Sequence, residues 1–196
     1  MIVIGITGTL GAGKGTVVAH LETKGFRHYS ARAFIVREIE SRGLPVNRDS
    51  MTVVADDLRA IHSPSYIIES LYGEAERSGG DAVIESIRGV GEVEAMKKKD
   101  GFYLFAIDAD PKIRYERIRL RASSTDAVSF EKFLADEDRE FHSPESHRQN
   151  ISRCMELADY KLTNNGTVEE LNAQVEAILR EIGQASQPKS SSSSSL

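Results

Sequence analysis

Apolar side chains are concentrated in a few short runs without polar alternation. Such runs occupy residues 2–4 with Ile6, residues 82–84 and residues 102–107, and two weaker candidates lie at 26–30 and 159–163. A short, continuous apolar run is typical of a strand that is buried on both faces, as in a parallel sheet. The pattern therefore predicts five strands.

Between these runs the sequence changes to helical patterns. Helices are predicted at 16–21, 33–41, 51–61, 65–77, 92–99, 112–121, 130–141 and 167–183. Strands that alternate with helices indicate an α/β fold with a mostly parallel sheet covered on both faces. Residues 1–183 have the size of one domain. The serine-rich tail, 184–196, is expected to be disordered because it cannot build a core.

Composition narrows the class of protein. The formal net charge is -5, so the chain is not built to coat nucleic acid. Its single cysteine, Cys154, can form no intrachain disulfide, which fits a reducing compartment. No apolar run approaches the roughly 18 residues of a membrane span, and the N-terminus lacks the basic start of a signal peptide. We therefore expect a cytoplasmic protein that binds neither nucleic acid nor a membrane.

A glycine-rich segment, G-T-L-G-A-G-K-G-T at 8–16, separates the first predicted strand from the first helix. Glycines let the backbone curl around an anion, and the curled N–H groups and the helix N-terminus then point partial positive charge at it. The Lys14 ammonium can reach the β- and γ-phosphates of a nucleoside triphosphate, and the Thr16 hydroxyl can help to hold hydrated Mg²⁺. The alternative is a glycine-rich turn that binds nothing. The predicted phosphate-binding residues are Gly8, Gly11, Ala12, Gly13, Lys14, Gly15 and Thr16.

The spacing of this loop resembles that of a particular group of kinases. The generic pattern has Ser or Thr directly after the lysine, whereas here Gly15 precedes Thr16. The form G-x-x-G-x-G-K-G-T resembles the loop of adenylate kinase and other nucleoside monophosphate kinases. Residues 4–8 also resemble dephospho-CoA kinase, and residues 84–94 and 158–166 are similar to archaeal and phage nucleotide-kinase-like proteins. The D-x-x-G and N-K-x-D strings of a GTPase do not occur in the sequence.

The resemblance covers nearly the whole predicted domain. It implies the three-layer P-loop NTPase fold, an α/β fold with a five-stranded parallel sheet. It also implies a helical acceptor-binding insert at about 31–78 and a small lid at about 117–140. The expected cofactors are ATP and Mg²⁺.

On the acceptor side, the resemblance implies roles for three residues. Arg37, on the helix after Ser30, is the counterpart of an acceptor-phosphate ligand. Glu85 ends a strand where related kinases carry Asp, which implies contacts with the metal and the substrate. Arg88 follows three residues later and is expected to bind the acceptor and to take part in catalysis. The alternatives are an exposed helix arginine for Arg37 and a strand-end acid bonded to a turn for Glu85.

On the lid side, the resemblance implies roles for three further residues. Arg117 and Arg121 lie four apart, so they share a helix face. They resemble the Arg-Ile-x-x-Arg segment of adenylate kinase, in which one arginine stacks on the nucleobase and the other binds phosphate. Both are expected to be catalytic, and Arg117 also binds the cofactor. Asn165 is expected beside the adenine edge. The alternatives are a solvated helix face paired with Glu116 and an ordinary turn.

These expectations favour transfer of the γ-phosphoryl of ATP to a nucleoside or deoxynucleoside monophosphate by a monomer or homodimer. Two alternatives remain open. A hydroxyl acceptor, as in dephospho-CoA, would need a base, for which Glu85 is the candidate. An ATP-binding assembly or regulatory protein would hydrolyse ATP slowly without an acceptor.

Overall fold

The structure is a computed structural model that describes residues 1–120, 129–141 and 150–185. The strands are β1 (Val3–Gly8), β2 (Arg27–Ser30), β3 (Ala82–Glu85), β4 (Phe102–Asp108) and β5 (Tyr160–Thr163). The helices are α1 (Lys14–Thr23), α2 (Ala31–Ser41), α3 (Arg48–Ile61), α4 (Tyr66–Ser78), α5 (Val90–Met96), α6 (Pro111–Leu120), α7 (Phe130–Phe141), α8 (Ile151–Glu156) and α9 (Val168–Ala185).

The five strands form one parallel sheet in the order β2-β3-β1-β4-β5. All six residues of the central strand β1 are buried. One face of the sheet packs in a core with α2, α3, α4, α5 and α8, and the other with α1 and α9. Apolar strands covered on both faces give three layers. The predicted α/β fold with a five-stranded parallel sheet is confirmed.

The strand register places all five carboxyl ends at one edge of the sheet. Ile6 of β1 pairs with Glu85 of β3, and Glu85 pairs with Ser30 of β2. On the other side of β1, Gly8 pairs with Ile107, and the next residue of β4, Asp108, pairs with Thr163 of β5. In open α/β sheets ligands bind outside the carboxyl ends of the strands. The polar residues that end these strands therefore lie where a ligand would be expected.

Helices α2, α3 and α4 occupy the segment between β2 and β3, which was predicted as the acceptor-binding insert. The last helix continues through Gly183 to Ala185, so the start of the predicted tail is helical, and the tail from 186 onward lies outside the described residues. Helix α8 was not predicted. In the described residues, no helix combines the length and apolar character needed to cross a membrane.

Candidate phosphate-transfer site

The loop between β1 and α1 has a backbone that requires glycine at several positions. Gly8, Gly11 and Gly13 have φ angles of 135°, 78° and 98°, in the region that L side chains rarely adopt. A Cβ atom on Gly8 would also lie 2.0 Å from the carbonyl oxygen of Ile107. Ala12, between two of the glycines, is fully buried. The loop is therefore a tight backbone curl packed on the end of β4.

The positive end of α1 opens into this curl. Gly13 is the N-cap and has no side chain to bond the first N–H groups of the helix. The Lys14 ammonium donates to the carbonyls of Gly8 at 2.9 Å and Thr9 at 2.6 Å, which holds it over the loop. Thr16 is half-buried in the first turn. The N–H groups, the dipole and the ammonium together create a site for an anion of high charge.

On the β3 side of the loop, the chain makes a strained turn beside β1. Ser86 has a φ of 72°, and among the described residues it is the one non-glycine in the left-handed region. Ile87 N–H then donates to the carbonyl of Ile6 at 3.1 Å, so the turn runs alongside the start of the loop. The half-buried Arg88 follows immediately. The backbone of Arg88 therefore lies at the same carboxyl edge of the sheet as the phosphate loop.

The Glu85 carboxylate lies at the same turn. Its Oε1 accepts a hydrogen bond from the Ser30 hydroxyl at 2.8 Å and lies 3.4 Å from Nε2 of His28. Glu85 is partly buried, with a side chain 25% exposed. A carboxylate here can accept a proton or bind a hydrated cation.

The backbone of the turn is held by a buried acid that sequence reasoning missed. Glu92 is 3% exposed, and its Oε2 accepts the N–H groups of Arg88 at 2.9 Å and Gly89 at 3.0 Å. Arg59 of α3 reaches to 3.6 Å from Oε1. Burial raises the pKa of Glu92, although the Arg88 N–H group and the charge of Arg59 oppose that shift. The signal in the sequence was an acid three residues after a glycine, which is a capping spacing.

On the β4 side, two residues link the loop to the sheet. The Thr9 hydroxyl donates to Oδ1 of Asp108 at 2.7 Å. The Asn164 amide nitrogen donates to the carbonyl of Ala12 at 2.8 Å, and Arg117 donates to Oδ1 of Asn164 at 3.3 Å. The sequence prediction assigned no role to Asp108, and it included Asn164 only as part of the segment 164–166 expected near the adenine edge. Their common signal was a polar residue at the end of a strand, or directly after it.

The other predicted site residues are Asn165, Arg37 and Arg121, and the first two make contacts other than those expected. Asn165 accepts a hydrogen bond from Asp110 N–H at 2.7 Å, so its side chain caps the start of α6. Arg37 is exposed, pairs with Glu74 of α4 at 2.8 Å and lies over the Phe34 ring. These contacts do not bring Arg37 to the loop. Arg121 lies outside the described residues.

Mg²⁺ at this loop would be bound by few protein ligands. No group of three or more His, Cys, Asp or Glu side chains that could hold a metal ion occurs in the described ranges. Mg²⁺ is usually held by one or two protein oxygens together with waters and phosphates, so such a cage is not required. The Thr16 hydroxyl, beside the loop, and the Glu85 carboxylate fit this donor set.

The predicted lid joins the loop through helices α6 and α7. Arg114 of α6 is 3% exposed and forms a bidentate pair with Glu137 of α7. The rings of Tyr115, Phe130 and Phe133 pack between the two helices. Residues 121–128, which connect them, lie outside the described residues. Helix α7 is therefore held against α6 by a largely buried ion pair and an aromatic cluster.

Comparison with solved structures supports this architecture. The chain is similar to TT1252 from Thermus thermophilus, with a TM-score of 0.63 and 23% identity, over 92% of this chain and 97% of that one. It is also similar to shikimate kinase from Acinetobacter baumannii, with a TM-score of 0.61 and 16% identity, over 96% of each chain. At these identities the likeness establishes the fold, which is the predicted three-layer P-loop NTPase fold of kinases.

Sequence comparisons establish the family. The family model described as AAA domain matches residues 4–141. The UPF0200 protein PAE1629 from Pyrobaculum aerophilum is 30% identical over 182 residues, which cover 92% of this chain and 98% of that protein. The narrower assignment to nucleoside monophosphate kinases stays a prediction. The chain belongs to the AAA domain family and to the UPF0200 proteins.

Proposed function

We propose that this protein transfers the γ-phosphoryl group of ATP to a nucleoside or deoxynucleoside monophosphate. The observation that carries the proposal is the link between two cationic side chains and one phosphate loop. Lys14 bonds the carbonyls of the loop, and Arg117 of α6 is linked to the loop through Asn164. Arg88 follows the end of β3 at the same edge of the sheet, and its proposed role is to extend towards the loop from that side. Phosphoryl transfer depends mostly on positioning and on neutralising charge, so these cations suit it.

The state of Arg117 supports a ligand at this position. Its Nη1 atom is buried and has no hydrogen-bond partner within the described part of the chain. A buried donor without a partner costs about 1–3 kcal/mol, and more when it is charged. An oxygen of a bound phosphate would satisfy this donor. In the proposed reaction Arg117, with Arg121, covers the transferred group, and Asn165 remains a proposed contact of the adenine edge.

In the proposed step, an oxygen of the acceptor phosphate attacks Pγ of ATP. The bond from Pγ to the β,γ-bridging oxygen breaks, and ADP leaves with that oxygen and its electron pair. The acceptor oxygen is already anionic, so the step needs no general base. Arg88, and Arg37 after a movement away from Glu74, align the acceptor, while the loop N–H groups and Lys14 hold the donor. Mg²⁺, held through Thr16 and Glu85, supplies neutralising charge at the donor phosphates.

A hydroxyl acceptor is the second candidate, and one observation favours it. The Ser30 hydroxyl donates to the Glu85 carboxylate at 2.8 Å, so this carboxylate can accept a hydroxyl proton at the carboxyl edge of the sheet. A substrate hydroxyl in place of Ser30 would be oriented for deprotonation. The similar shikimate kinase from Acinetobacter baumannii was solved in complex with shikimate.

An acceptor panel separates these reactions. ADP formation with MgATP is measured with each nucleoside and deoxynucleoside monophosphate, with dephospho-CoA and with shikimate, and the product is identified by ³¹P NMR. Turnover with a monophosphate supports the proposal. Turnover with hydroxyl acceptors alone supports the second candidate and refutes the first. Tight ATP binding without acceptor-stimulated turnover indicates an assembly or regulatory protein.

Arg88→Ala tests the acceptor side within the same assay. We expect kcat/KM for the acceptor to fall by about 10²–10³ while the Kd for ATP changes by less than about threefold. The matched control is Arg180→Ala, an exposed arginine on α9 whose side chain bonds its own helix. Equal transfer by Arg88→Ala and wild type would refute the role of Arg88.

We place the reaction in the cytoplasm and propose a monomer or homodimer without nucleic-acid or membrane partners.

A further inference from the structure

We propose that Asn164 and Arg114 are positioning residues that aim two peptide N–H groups of the phosphate loop at the donor phosphates. This inference rests on ATP binding by the loop, which is part of the proposed function, and not on the identity of the acceptor.

The first step concerns peptide geometry. In a trans peptide the C=O group and the following N–H group point in opposite directions, and no described peptide bond is cis. The carbonyl of Ala12 points at the Asn164 amide nitrogen, 2.8 Å away. The Gly13 N–H group belongs to the same peptide and therefore points away from Asn164, to the opposite side of the loop backbone.

Arg114 acts on a second peptide in the same way. Its Nη1 donates to the carbonyl of Leu10 at 3.3 Å. The Gly11 N–H group shares that peptide plane and points in the opposite direction. Two of the loop's peptides are thus held by donors on its outer side, and their N–H groups are directed by these contacts before any ligand arrives. Preorganised donors of this kind contribute strongly to electrostatic stabilisation of phosphate charge.

Two glycines of the loop, Gly13 and Gly11, leave room for Asn164 and Arg114. A Cβ on Gly13 would lie 2.3 Å from Nδ2 of Asn164. A Cβ on Gly11 would lie 2.7 Å from the carbonyl oxygen of Arg114 and 3.1 Å from the Ile118 side chain. Each glycine therefore does more than allow a positive φ. Because it has no Cβ, it lets the neighbouring residue, Asn164 or Arg114, lie close to the loop backbone.

Asn164 and Arg114 are themselves held in place by further hydrogen bonds. Asn164 is 7% exposed, its N–H donates to the carbonyl of Asp108 at 2.8 Å, and its Oδ1 accepts from Arg117. Because Oδ1 faces a cation, Nδ2 must face Ala12. Arg114 also donates through Nε to the carbonyl of Ala109 at 2.8 Å and is paired with Glu137. Neither side chain can turn away without breaking other buried contacts.

The test compares two asparagines. Asn164→Leu removes the donor at nearly constant volume, and Asn164→Asp replaces it by a carboxylate that can donate only when protonated. Asn47→Asp is the matched control, since Asn47, the exposed N-cap of α3, acts as an acceptor for Ser50 N–H and aspartate keeps that function. The Kd for MgATP is measured by calorimetry without acceptor, at a temperature at which circular dichroism shows each variant folded.

We expect Asn164→Leu to bind MgATP about tenfold more weakly than wild type at every pH, which is the effect of one hydrogen bond. Asn164→Asp should be weakened at least as much at pH 8, and its ratio to wild type should recover only as the pH falls towards the pKa of the new carboxyl group, which is about 3.9 for an ordinary aspartate. Asn47→Asp should stay within about twofold of wild type. A purely structural role of Asn164 would lower the melting temperature but not produce the pH-dependent recovery.

Binding by folded Asn164→Leu within twofold of wild type, or equal losses at Asn164 and Asn47, would refute the positioning role. Failure of wild type to bind MgATP would refute the proposed function instead, so the two failures are distinguishable. If Asn164→Leu does not fold, Asn164→Asp carries the test, because the pH restores the donor within one protein. Arg114→Lys is an independent arm, in which loss of the Leu10 contact should weaken MgATP binding by about three- to tenfold, and unchanged binding would refute the role of Arg114.

Discussion

Replacement of Gly13 by alanine tests the loop geometry directly, because two independent costs follow from the structure. An L residue at a φ of 98° is destabilised by about 1–2 kcal/mol. The new methyl group, 2.3 Å from the Asn164 nitrogen, must also displace that amide. Displacement leaves the buried carbonyl of Ala12 without its partner, which costs about 1–3 kcal/mol. The expected loss of unfolding free energy is therefore about 2–5 kcal/mol.

Gly15→Ala is the matched control, two residues further along the same loop. No atom lies within 4 Å of a Cβ built on Gly15, its φ is not in the left-handed region, and the residue belongs to α1. Alanine reduces the entropy of the unfolded chain and favours the helix. We expect Gly15→Ala to be neutral or to stabilise the protein by up to about 1 kcal/mol.

Urea unfolding followed by circular dichroism measures both variants, and thermal unfolding checks the order. A domain of this size shifts its Tm by roughly 2–4 °C for each kcal/mol, so Gly13→Ala should melt roughly 4–20 °C below wild type. A loss of less than about 1 kcal/mol for Gly13→Ala would refute the geometry. Equal destabilisation by Gly15→Ala would show that glycine is required throughout the loop for another reason.

Three further predictions concern buried ionisable groups. Glu137→Gln leaves the buried Arg114 cation with only the half-exposed carboxylate of Asp108, 3.6 Å from its Nε. Urea unfolding should show a loss of about 2–4 kcal/mol, smaller than for a fully buried pair because Glu137 is 16% exposed and Asp108 remains; an unchanged midpoint would refute this. The raised pKa of Glu92 means that the folded state binds the proton more tightly, so its contribution to stability is full below pH 4.5 and is lost as the pH rises through the raised pKa. The unfolding free energy of Glu92→Gln relative to wild type should therefore rise over that range, and a constant difference would contradict the shift. Burial raises the pKa of Cys154 from 9.0 to about 12, so its contribution is full below pH 9 and is lost towards pH 12; iodoacetamide should label this thiol slowly at pH 8 in the native protein and rapidly in urea.

The sheet could be predicted from local sequence because each strand carries its own signal. The run at 82–84 became β3, Ala82–Glu85, and the run at 102–107 became β4, Phe102–Asp108. Both are apolar on every residue that the sheet buries, so burial on two faces is visible without knowledge of neighbours. Helix α7 was predicted with the bounds that the structure has. Its charged and apolar residues alternate with helical spacing over three turns.

Helix α8 could not be predicted by the same means. It has six residues, of which Ile151 and Cys154 are buried. Two apolar positions three residues apart fall short of a periodic pattern. Its position is instead set by tertiary contacts, since Asn150 N–H donates to the carbonyl of Arg88 at 2.9 Å and the buried residues join the core beside β1 and β4.

The phosphate loop could be predicted because its chemistry is contiguous, but its supports come from distant parts of the chain. Asn164 lies 152 positions from Ala12, and the sequence offered two adjacent asparagines after β5. Successive side chains of an extended segment point to opposite sides, so only one of the two can face the loop. The register between Asp108 and Thr163 decides which one it is, because the next N–H group, that of Asn164, then bonds the carbonyl of Asp108. A register shifted by one residue would turn the other asparagine towards Ala12, and strand register is a property of the assembled sheet. The loss of MgATP binding expected for Asn164→Leu is therefore also a test of the β4–β5 register in solution.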